Sequence, residues 1–360
     1  MQLALSLAKQ GIGKTSPNPA VGAVVVKNGR IVGKGYHKKA GFPHAEINAL
    51  KQAGKKANGA EMHITLEPCN HFGRTPPCTD AIIKSGIKKV FVGMEDPNPL
   101  VSGNGMRRLR NAGIKVRAGI LEKECKEINQ AYIKYITTKT PFVTLKLAAT
   151  LDGKIATLSG ESKWITGETA RKFAHKMRAE ADAVMAGIGT VLADDPELTV
   201  RLVKGENPVK IVVDSRLRIP LIAKVFNAGR GKVMIVTTRE RREARGKRRK
   251  IKKIEAKGAE VWMLPSKKKE VDLTVLVKKL GKREITNLII EGGSTLAGSA
   301  MKQGIVDKIA IFFAPKILGK EGLPMIGGLG IRRLKDAICL SRLECRKLGD
   351  DLLLEGYLKP

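Results

Sequence analysis

Three short segments carry residue types that together can hold a metal ion and move a proton. His44-Ala45-Glu46 opens one amphipathic run, Glu67-Pro68-Cys69 closes an apolar one, and Cys78 follows after eight intervening residues. One imidazole and two thiolates suit Zn2+ and leave a fourth position open for water. Glu46, two residues beyond the histidine, is placed to carry protons between an activated water and a leaving amine. A closed structural zinc with His71 as fourth ligand is the competing arrangement. Such sites usually present their ligands as tight paired knuckles, whereas these come from three segments, and Glu46 would have no task there. The catalytic arrangement is therefore preferred.

A second group suits a phosphorylated ligand. In Asn287-Leu-Ile-Ile-Glu291-Gly-Gly-Ser-Thr-Leu-Ala-Gly298 a strand pattern runs into paired glycines and then a helix, whose first amides can bind a pyrophosphate. Gly187-Ile-Gly189 lacks the third glycine of a dinucleotide fingerprint. Alone, a glycine pair after a strand is more often a tight turn. Thr190 and Asp194 after the Gly187 turn, and Asp214-Ser215 at another strand end, strengthen the ligand reading, because open α/β sheets collect ligands at such ends. Trp164 lies in the polar stretch Ser162-Lys163-Trp164, where a flat ring suits a nicotinamide or ribose. Lys146, among apolar strand residues, reads either as an acid or substrate anchor or as a strand-edge lysine.

The elements that must position these groups alternate along the chain. Val21–Val26 and Ile31–Tyr36 read as strands joined by an Asn28-Gly29 hairpin turn. A helix over His44–Ala53 follows, with a strand over Met62–Leu66, a helix over Thr79–Ser85 and a strand over Lys88–Val92. A helix over Met106–Ala112, a strand over Ile114–Ala118 and a helical stretch over Glu122–Thr137 complete this half, which implies a mostly parallel layered sheet. Lys139-Thr140-Pro141 marks the boundary between domains 1–140 and 141–360. Strands are expected beyond it at Phe142–Ala148, Ala183–Gly187, Lys210–Asp214, Val233–Thr237, Val261–Leu264, Asn287–Glu291, Lys308–Ala314 and Asp351–Tyr357, with helices that include Gly167–Ala179 and Thr295–Gln303.

Composition narrows the classes. Of the 360 residues 42 % are hydrophobic, which excludes wholesale disorder, and no uncharged apolar run approaches the ~20 residues of a membrane span. Met1 leads straight into Leu3, Leu5, Leu7 and Ala8 without a secretory pattern, and five scattered cysteines suit a reducing compartment, the cytoplasm. The net charge of +33 is spread over both halves, with 23 basic against 9 acidic residues in 1–140 and 44 against 25 in the remainder. The densest run, Arg239–Lys253, has ten Lys or Arg and no aromatic on which a base could stack, so it reads as a solvated helical face and not as a specific nucleic-acid site.

His-x-Glu followed by Pro-Cys and a second Cys is the arrangement of the nucleobase deaminases. The chain resembles more specifically the bifunctional deaminase–reductase family of riboflavin biosynthesis. The resemblance rests on Ser16-Pro-Asn-Pro-Ala-Val-Gly22, Pro43-His-Ala-Glu46, Thr65–Cys78 and Asp96-Pro-Asn-Pro99 in the first half. In the second half it rests on Lys146–Lys154, Ser162–Thr166, Leu192–Pro196 and Glu291-Gly-Gly293. It implies an α/β chain with an N-terminal cytidine-deaminase-like three-layer domain and a C-terminal dihydrofolate-reductase-like domain using NADPH. By that resemblance His44, Cys69 and Cys78 bind zinc, Glu46 is the proton donor, and Asn18, His37, Arg74 and Asn98 line the pyrimidine and phosphoribosyl pocket. Ala148, Trp164, Thr190, Asp194, Ser215, Gly293, Ser294, Thr295, Leu296, Ala297, Gly298 and Ser299 would contact the nucleotide. Ser162, Arg178, Leu198, Arg201 and Glu291 would contact the substrate, the two arginines matching a phosphate in bidentate geometry. The partner is then a phosphoribosylaminopyrimidine, with no specific nucleic acid and no membrane, and the chain is expected to form a homo-oligomer. Family members usually begin a little earlier, so the start is expected to be trimmed or misassigned and the first helix to fray.

Overall fold

The computed structural model describes residues 1–72, 76–99, 101–227, 231–239, 245–267 and 269–359. The chain divides into two compact units, Met1–Lys139 and Thr140–Pro360.

In the first unit α1 (Gln2–Ala8) precedes the hairpin of β1 (Gly22–Lys27) and β2 (Arg30–Tyr36). Asn28 and Gly29 turn the hairpin with φ of 50° and 73°, the left-handed pair that a two-residue loop requires. Next come α2 (Ala45–Ala53), β3 (Glu61–Leu66), α3 (Cys78–Lys84), β4 (Lys89–Met94), α4 (Asn104–Asn111) and β5 (Lys115–Arg117). The sheet order is β2-β1-β3-β4-β5. A mostly parallel sheet was expected here, and the observed one is half antiparallel: β1 runs against both β2 and β3, and only β3, β4 and β5 are parallel. The tight hairpin forces the first reversal. Val24 packs with Ala4 and Leu7 of α1, while Ala23 and Val25 join Ala45, Ala49 and Ala53 of α2, so alternate residues of β1 serve the two faces of a three-layer unit. Gly22 is needed for the approach of α1, since a Cβ there would lie 2.0 Å from the Ala4 carbonyl oxygen.

The expected helix over Glu122–Thr137 is broken into α5 (Glu122–Ile128) and α6 (Gln130–Thr138) at Asn129. The buried Asn129 amide accepts from Ala20 N at 2.8 Å and donates to the Ala20 and Cys125 carbonyls at 3.1 and 3.3 Å. A side chain that competes in this way with the helical ladder bends the chain where it sits.

The second unit is a nine-stranded sheet. Its strands are β6 (Phe142–Thr150), β7 (Ala183–Gly187), β8 (Val209–Val213), β9 (Val233–Thr238), β10 (Ala259–Leu264), β11 (Asn287–Glu291), β12 (Lys308–Ala314), β13 (Leu340–Leu348) and β14 (Asp351–Leu358), in the order β10-β9-β8-β7-β11-β6-β12-β14-β13. Every pair from β10 across to β12 is parallel, and β14 and β13 are antiparallel. β13 escapes sequence reading because six of its nine residues are exposed, so the alternation of Arg342, Glu344 and Arg346 with Leu343 and Cys345 separates no buried face from a solvated one. Besides a single turn at Lys224–Asn227, the helices are α7 (Glu168–Ala179), α8 (Ile188–Asp194), α9 (Arg245–Glu255), α10 (Leu273–Lys282) and α11 (Ser294–Lys302). Of the basic run, residues 240–244 lie outside the described residues. In α9 Ile254 is buried and Ile251 packs beside it, while Arg248, Arg249, Lys252 and Lys253 are exposed.

Each unit has apolar cores of its own. Leu145 is fully buried in β6, between β11 and β12, in the larger core of the second unit. Leu145→Ala is expected to destabilise that unit by about 2–5 kcal/mol. In a denaturant titration of the full chain, the transition of the first unit should keep its midpoint; a shift of both transitions together would mean that the chain unfolds as one unit.

Candidate active sites

The first site forms where three elements end. His44 is the N-cap of α2, Cys69 lies just past β3, and Cys78 is the first residue of α3. His44 Nδ1 is 3.2 Å from Cys78 Sγ and 3.6 Å from Cys69 Sγ, and the three ligand atoms lie within 4.8 Å of one another. A tetrahedral zinc with bonds of ~2.0 Å to nitrogen and ~2.3 Å to sulfur needs edges of roughly this length, so the donor set fits that ion. The Cys78 amide, at the start of α3, donates to Cys69 Sγ at 3.3 Å. The Cys69 pKa is drawn down to about 4, first by the hydrogen bond from Cys78 and then by those from His44 and the Cys78 amide, which outweigh burial. His71, which a closed site would require, is not in this cluster; its Nδ1 is buried without a partner.

Glu46, on the first turn of α2, is only 3 % exposed. Burial pushes its pKa up to about 7, against the opposing pull of His44. A carboxyl poised near neutrality can both take and return a proton. His37 packs edge-on against the His44 ring with centroids 5.2 Å apart, and its Nε2 is 3.2 Å from Asn18 Nδ2. Burial lowers the pKa of His37. Asn98 lies in the 95–99 loop and donates its amide to Asp96 Oδ1 at 2.9 Å. Arg74 lies outside the described residues.

Glu67 is a residue that sequence reading left without a task. Its buried carboxylate accepts from the amides of Asp96, Gly103 and Met106 at 3.2, 2.9 and 3.0 Å, and so fixes the Asp96 loop beside the cysteine-bearing segment. An acid two residues before a cysteine gives no sign in sequence of amides 29 to 39 residues away.

The second site lies at the carboxyl ends of β7, β8 and β11. A cavity of about 380 Å³ opens there, and its lining includes Thr190, Ser215, Gly293, Thr295, Leu296 and Ser299. Gly292 and Gly293 have φ of 71° and 82°, and a Cβ on Gly293 would lie 2.9 Å from Thr190 Oγ1. The turn thus demands glycine for its backbone and for the closeness of Thr190. The run 293–299 is not all lining. Helical periodicity turns Ser294, Ala297 and Gly298 inward: Ala297 is fully buried, the Ser294 carbonyl accepts from Gly327 N at 2.8 Å, and Gly298 faces the Gly327 backbone.

The remaining expected nucleotide contacts lie off the cavity lining. Asp194 accepts from Ser162 Oγ at 2.6 Å. The Trp164 ring is 62 % exposed, with the Arg171 guanidinium 4.7 Å from its centroid. Ala148 packs in the small core around Phe312.

Among the expected substrate residues the structure alters one role. Arg178 was expected to offer its fork to a phosphate, but the fork is taken: Nε and Nη2 donate to Glu291 Oε1 and Oε2 at 2.6 and 2.8 Å, and Nη1 donates to the Thr199 carbonyl at 2.9 Å. A buried carboxylate has to be paired, and Arg178 is the group that pairs it. The parallel register of β11 and β6 sets Glu291 opposite Lys146, whose Nζ is 3.8 Å from Oε2. Burial works to raise the Glu291 pKa, but Arg178 and Lys146 hold it at about 2. Burial lowers that of Lys146. His175 Nδ1, unflagged in the sequence, accepts from Arg201 N at 3.0 Å. Leu198 is buried, and the Arg201 side chain pairs with Glu197 at 2.7 Å.

Comparison with known proteins agrees with both halves. Residues 141–354 match the family model described as the RibD C-terminal domain, and residues 1–94 match the cytidine and deoxycytidylate deaminase zinc-binding region. The chain is 52 % identical over 355 residues to riboflavin biosynthesis protein RibD of Aquifex aeolicus, covering 98 % of this chain and 96 % of that protein. It is 41 % identical over 367 residues to the Escherichia coli protein of the same name, covering 98 % and 97 %. Among solved structures, Acinetobacter baumannii RibD superposes with a TM-score of 0.88 at 38 % identity, covering 100 % of this chain and 98 % of that one. A diaminohydroxyphosphoribosylaminopyrimidine deaminase/5-amino-6-(5-phosphoribosylamino)uracil reductase from Thermotoga maritima does so with a TM-score of 0.86 at 39 % identity, covering 100 % and 97 %.

The metal assignment separates Glu46 from the ligands. Cys78→Ser is expected to weaken zinc binding by more than the ~10–100-fold that outer-shell changes cost, whereas Glu46→Gln should keep one zinc per chain. Metal analysis after dialysis against a chelator series reads both, and zinc loss in Glu46→Gln would make Glu46 a ligand.

Proposed function

We propose a division of labour among these residues from an established premise: the chain belongs to the RibD family of bifunctional riboflavin-biosynthesis enzymes. Its two activities act in turn on one ribotide. The first is zinc-dependent hydrolytic deamination of 2,5-diamino-6-(5-phosphoribosylamino)pyrimidin-4-one. The second is NADPH-dependent reduction of the ribosyl group to ribityl. The observation that carries the reading is the coincidence, in one chain, of the His44–Cys69–Cys78 cluster beside a buried Glu46 with a glycine-turn cavity at parallel strand ends.

In the deaminase unit His44, Cys69 and Cys78 hold zinc, which when bound supplies the Lewis acidity that makes water a nucleophile near neutral pH. Glu46 takes a proton from the attacking water and returns it to the amine leaving from C2 of the ring. His37, with its pKa lowered, and Asn18 present polar ring and amide edges beside that point. Arg74 and Asn98 complete this pocket by family resemblance.

In the reductase unit NADPH is the hydride source for C1′ of the ribosyl group. Gly293 lets the backbone approach the pyrophosphate at the start of α11, and Thr190, Ser215, Thr295 and Ser299 offer hydroxyls along the same cavity. Ser215 Oγ accepts from Val271 N at 3.2 Å, which leaves its own proton free to donate. Trp164, Asp194 and Ala148 belong to the nicotinamide end in this reading, and Ser162, Leu198 and Arg201 to the substrate. Glu291, held ionised by Arg178, orients Lys146, whose ammonium stabilises the charge that develops on the sugar oxygen as the ring opens.

No described helix is long and apolar enough to cross a membrane. Five free cysteines support a cytoplasmic location. Exposed apolar side chains along β13 and the segment before it, Leu343 and the 91 % exposed Leu334 among them, support a homo-oligomer.

Zinc-loaded protein given the diaminopyrimidine ribotide should yield only the deaminated ribotide without NADPH, and its ribityl product with NADPH, by mass spectrometry. Glu46→Gln should slow ammonia release by about 10²–10⁴-fold. Gly293→Asp should raise the NADPH KM at least about tenfold by placing a carboxylate where phosphates approach, with ammonia release unchanged. Loss of both activities in Gly293→Asp would point to global unfolding instead.

A further inference from the structure

Helix α7 grips the segment that follows α8 from two positions one turn apart. His175 Nδ1 accepts from Arg201 N at 3.0 Å, and Arg178 Nη1 donates to the Thr199 carbonyl at 2.9 Å. Positions i and i+3 share a helix face, so both side chains reach the same stretch of backbone. Arg178 is also the partner of Glu291, whereas His175 takes part in neither the proton transfer nor the hydride transfer. We propose that His175 is a positioning residue for ribotide binding in the reductase unit, fixing the Leu198–Arg201 backbone so that Arg201 meets the substrate phosphate. The proposal rests on the reading of Leu198 and Arg201 as substrate residues.

The segment needs holding. Leu198 is buried at φ 53°, a left-handed conformation that an L side chain enters only at a cost. Three side chains fix the residues that follow it. Arg178 takes the Thr199 carbonyl, Asn207 Oδ1 takes the Val200 amide at 2.7 Å, and His175 takes the Arg201 amide. Further on, Gly205 lies so close to α7 that a Cβ there would be 2.5 Å from the Ala179 Cβ. Of the three side chains, His175 is the one that acts on the residue expected at the phosphate. The Arg201 guanidinium is anchored within the same segment, with Nη1 2.7 Å from Glu197 Oε2 and 3.2 Å from Thr199 Oγ1. Where it points is therefore set by the backbone beneath it, and a looseness of about 1 Å in such support is enough to spoil a contact.

Histidine suits this task because of the charges around it. Accepting from an amide requires a bare Nδ1, and therefore a neutral ring with its proton on Nε2. His175 is buried, and burial together with Arg178, Arg201 and Lys146 lowers its pKa to about 4, against the opposing pull of Glu291. At neutral pH the ring is thus an acceptor. A lysine or arginine in its place would present donors to a donor.

Steady-state kinetics of the full-length chain, with the deaminated ribotide and NADPH, test this. His175→Phe keeps a buried ring and removes the acceptor. It should raise the ribotide KM about tenfold, the weight of one hydrogen bond, and leave kcat within about twofold of the parent. His175→Asn, whose Oδ1 stands about where Nδ1 does, should bring the ribotide KM back to within about threefold of the parent. In both variants an unchanged NADPH KM and unchanged ammonia release are expected, which reads the folding of each unit separately. An unchanged ribotide KM in His175→Phe, an equal loss in His175→Asn, or a rise in the NADPH KM matching that for the ribotide would each overturn the proposal. Arg201→Ala distinguishes the underlying reading, since it should raise the ribotide KM by more than His175→Phe does. If Arg201→Ala raises it and His175→Phe does not, only the proposal falls; if Arg201→Ala leaves it unchanged, the reading of the segment falls and the proposal with it.

Discussion

A parallel strand followed by a helix leaves the strand's carboxyl end and the helix's amino end at one edge of the sheet, and both candidate sites of this chain are built from that constraint. In the first unit β3 delivers Cys69 just past its end, α2 is capped by His44, and α3 begins at Cys78. In the second, β7, β8 and β11 deliver Thr190, Ser215 and the Gly292–Gly293 turn to one edge. Helix starts carry unpaired amides and a partial positive charge, so thiolates and phosphates are held there by the backbone itself. The Cys78 amide on Cys69 Sγ is the direct instance.

The two centres differ in how they deal with burial of charge. Beside the His44–Cys69–Cys78 cluster, burial raises the Glu46 pKa to about 7, and among the described residues no cationic side chain is bonded to it. At the end of β11, Glu291 is equally enclosed but paired with Arg178 and Lys146, so it stays ionised at about 2. Removing one partner of such a buried pair commonly costs about 3–5 kcal/mol, since the other charge is left without compensation. The same residue type therefore titrates near neutrality in one unit and is a fixed anion in the other. Environment alone makes the difference.

Fixed loops support the site of the first unit. Glu67 gathers three amides of the Asp96–Met106 stretch, and Asn129 ties the α5–α6 junction to Ala20 within the Pro17–Gly22 segment. These polar side chains touch no reacting atom. They hold backbone that would otherwise be free to move by more than a catalytic contact tolerates.

By itself the sequence determined the residue types and their order: the zinc ligands, Glu46, the glycine turn, and nearly every strand that carries them. Those signals are local, because a ligand triplet, an Asn-Gly hairpin and an apolar run each impose their geometry within a few residues. Contacts between distant segments were decided only by the tertiary structure. It closed Arg178 onto Glu291, 113 residues away, and so took from a phosphate the fork that the arginine was expected to offer. It turned Ala297 and Gly298 into the core while neighbouring residues of α11 lined the cavity, a matter of which helical face meets the sheet. It also made β13 a strand by pairing it with β14, and reversed β1 against β3. No periodicity records such pairings, because the partner of a buried charge or of a sheet edge is chosen by where the folded chain places it.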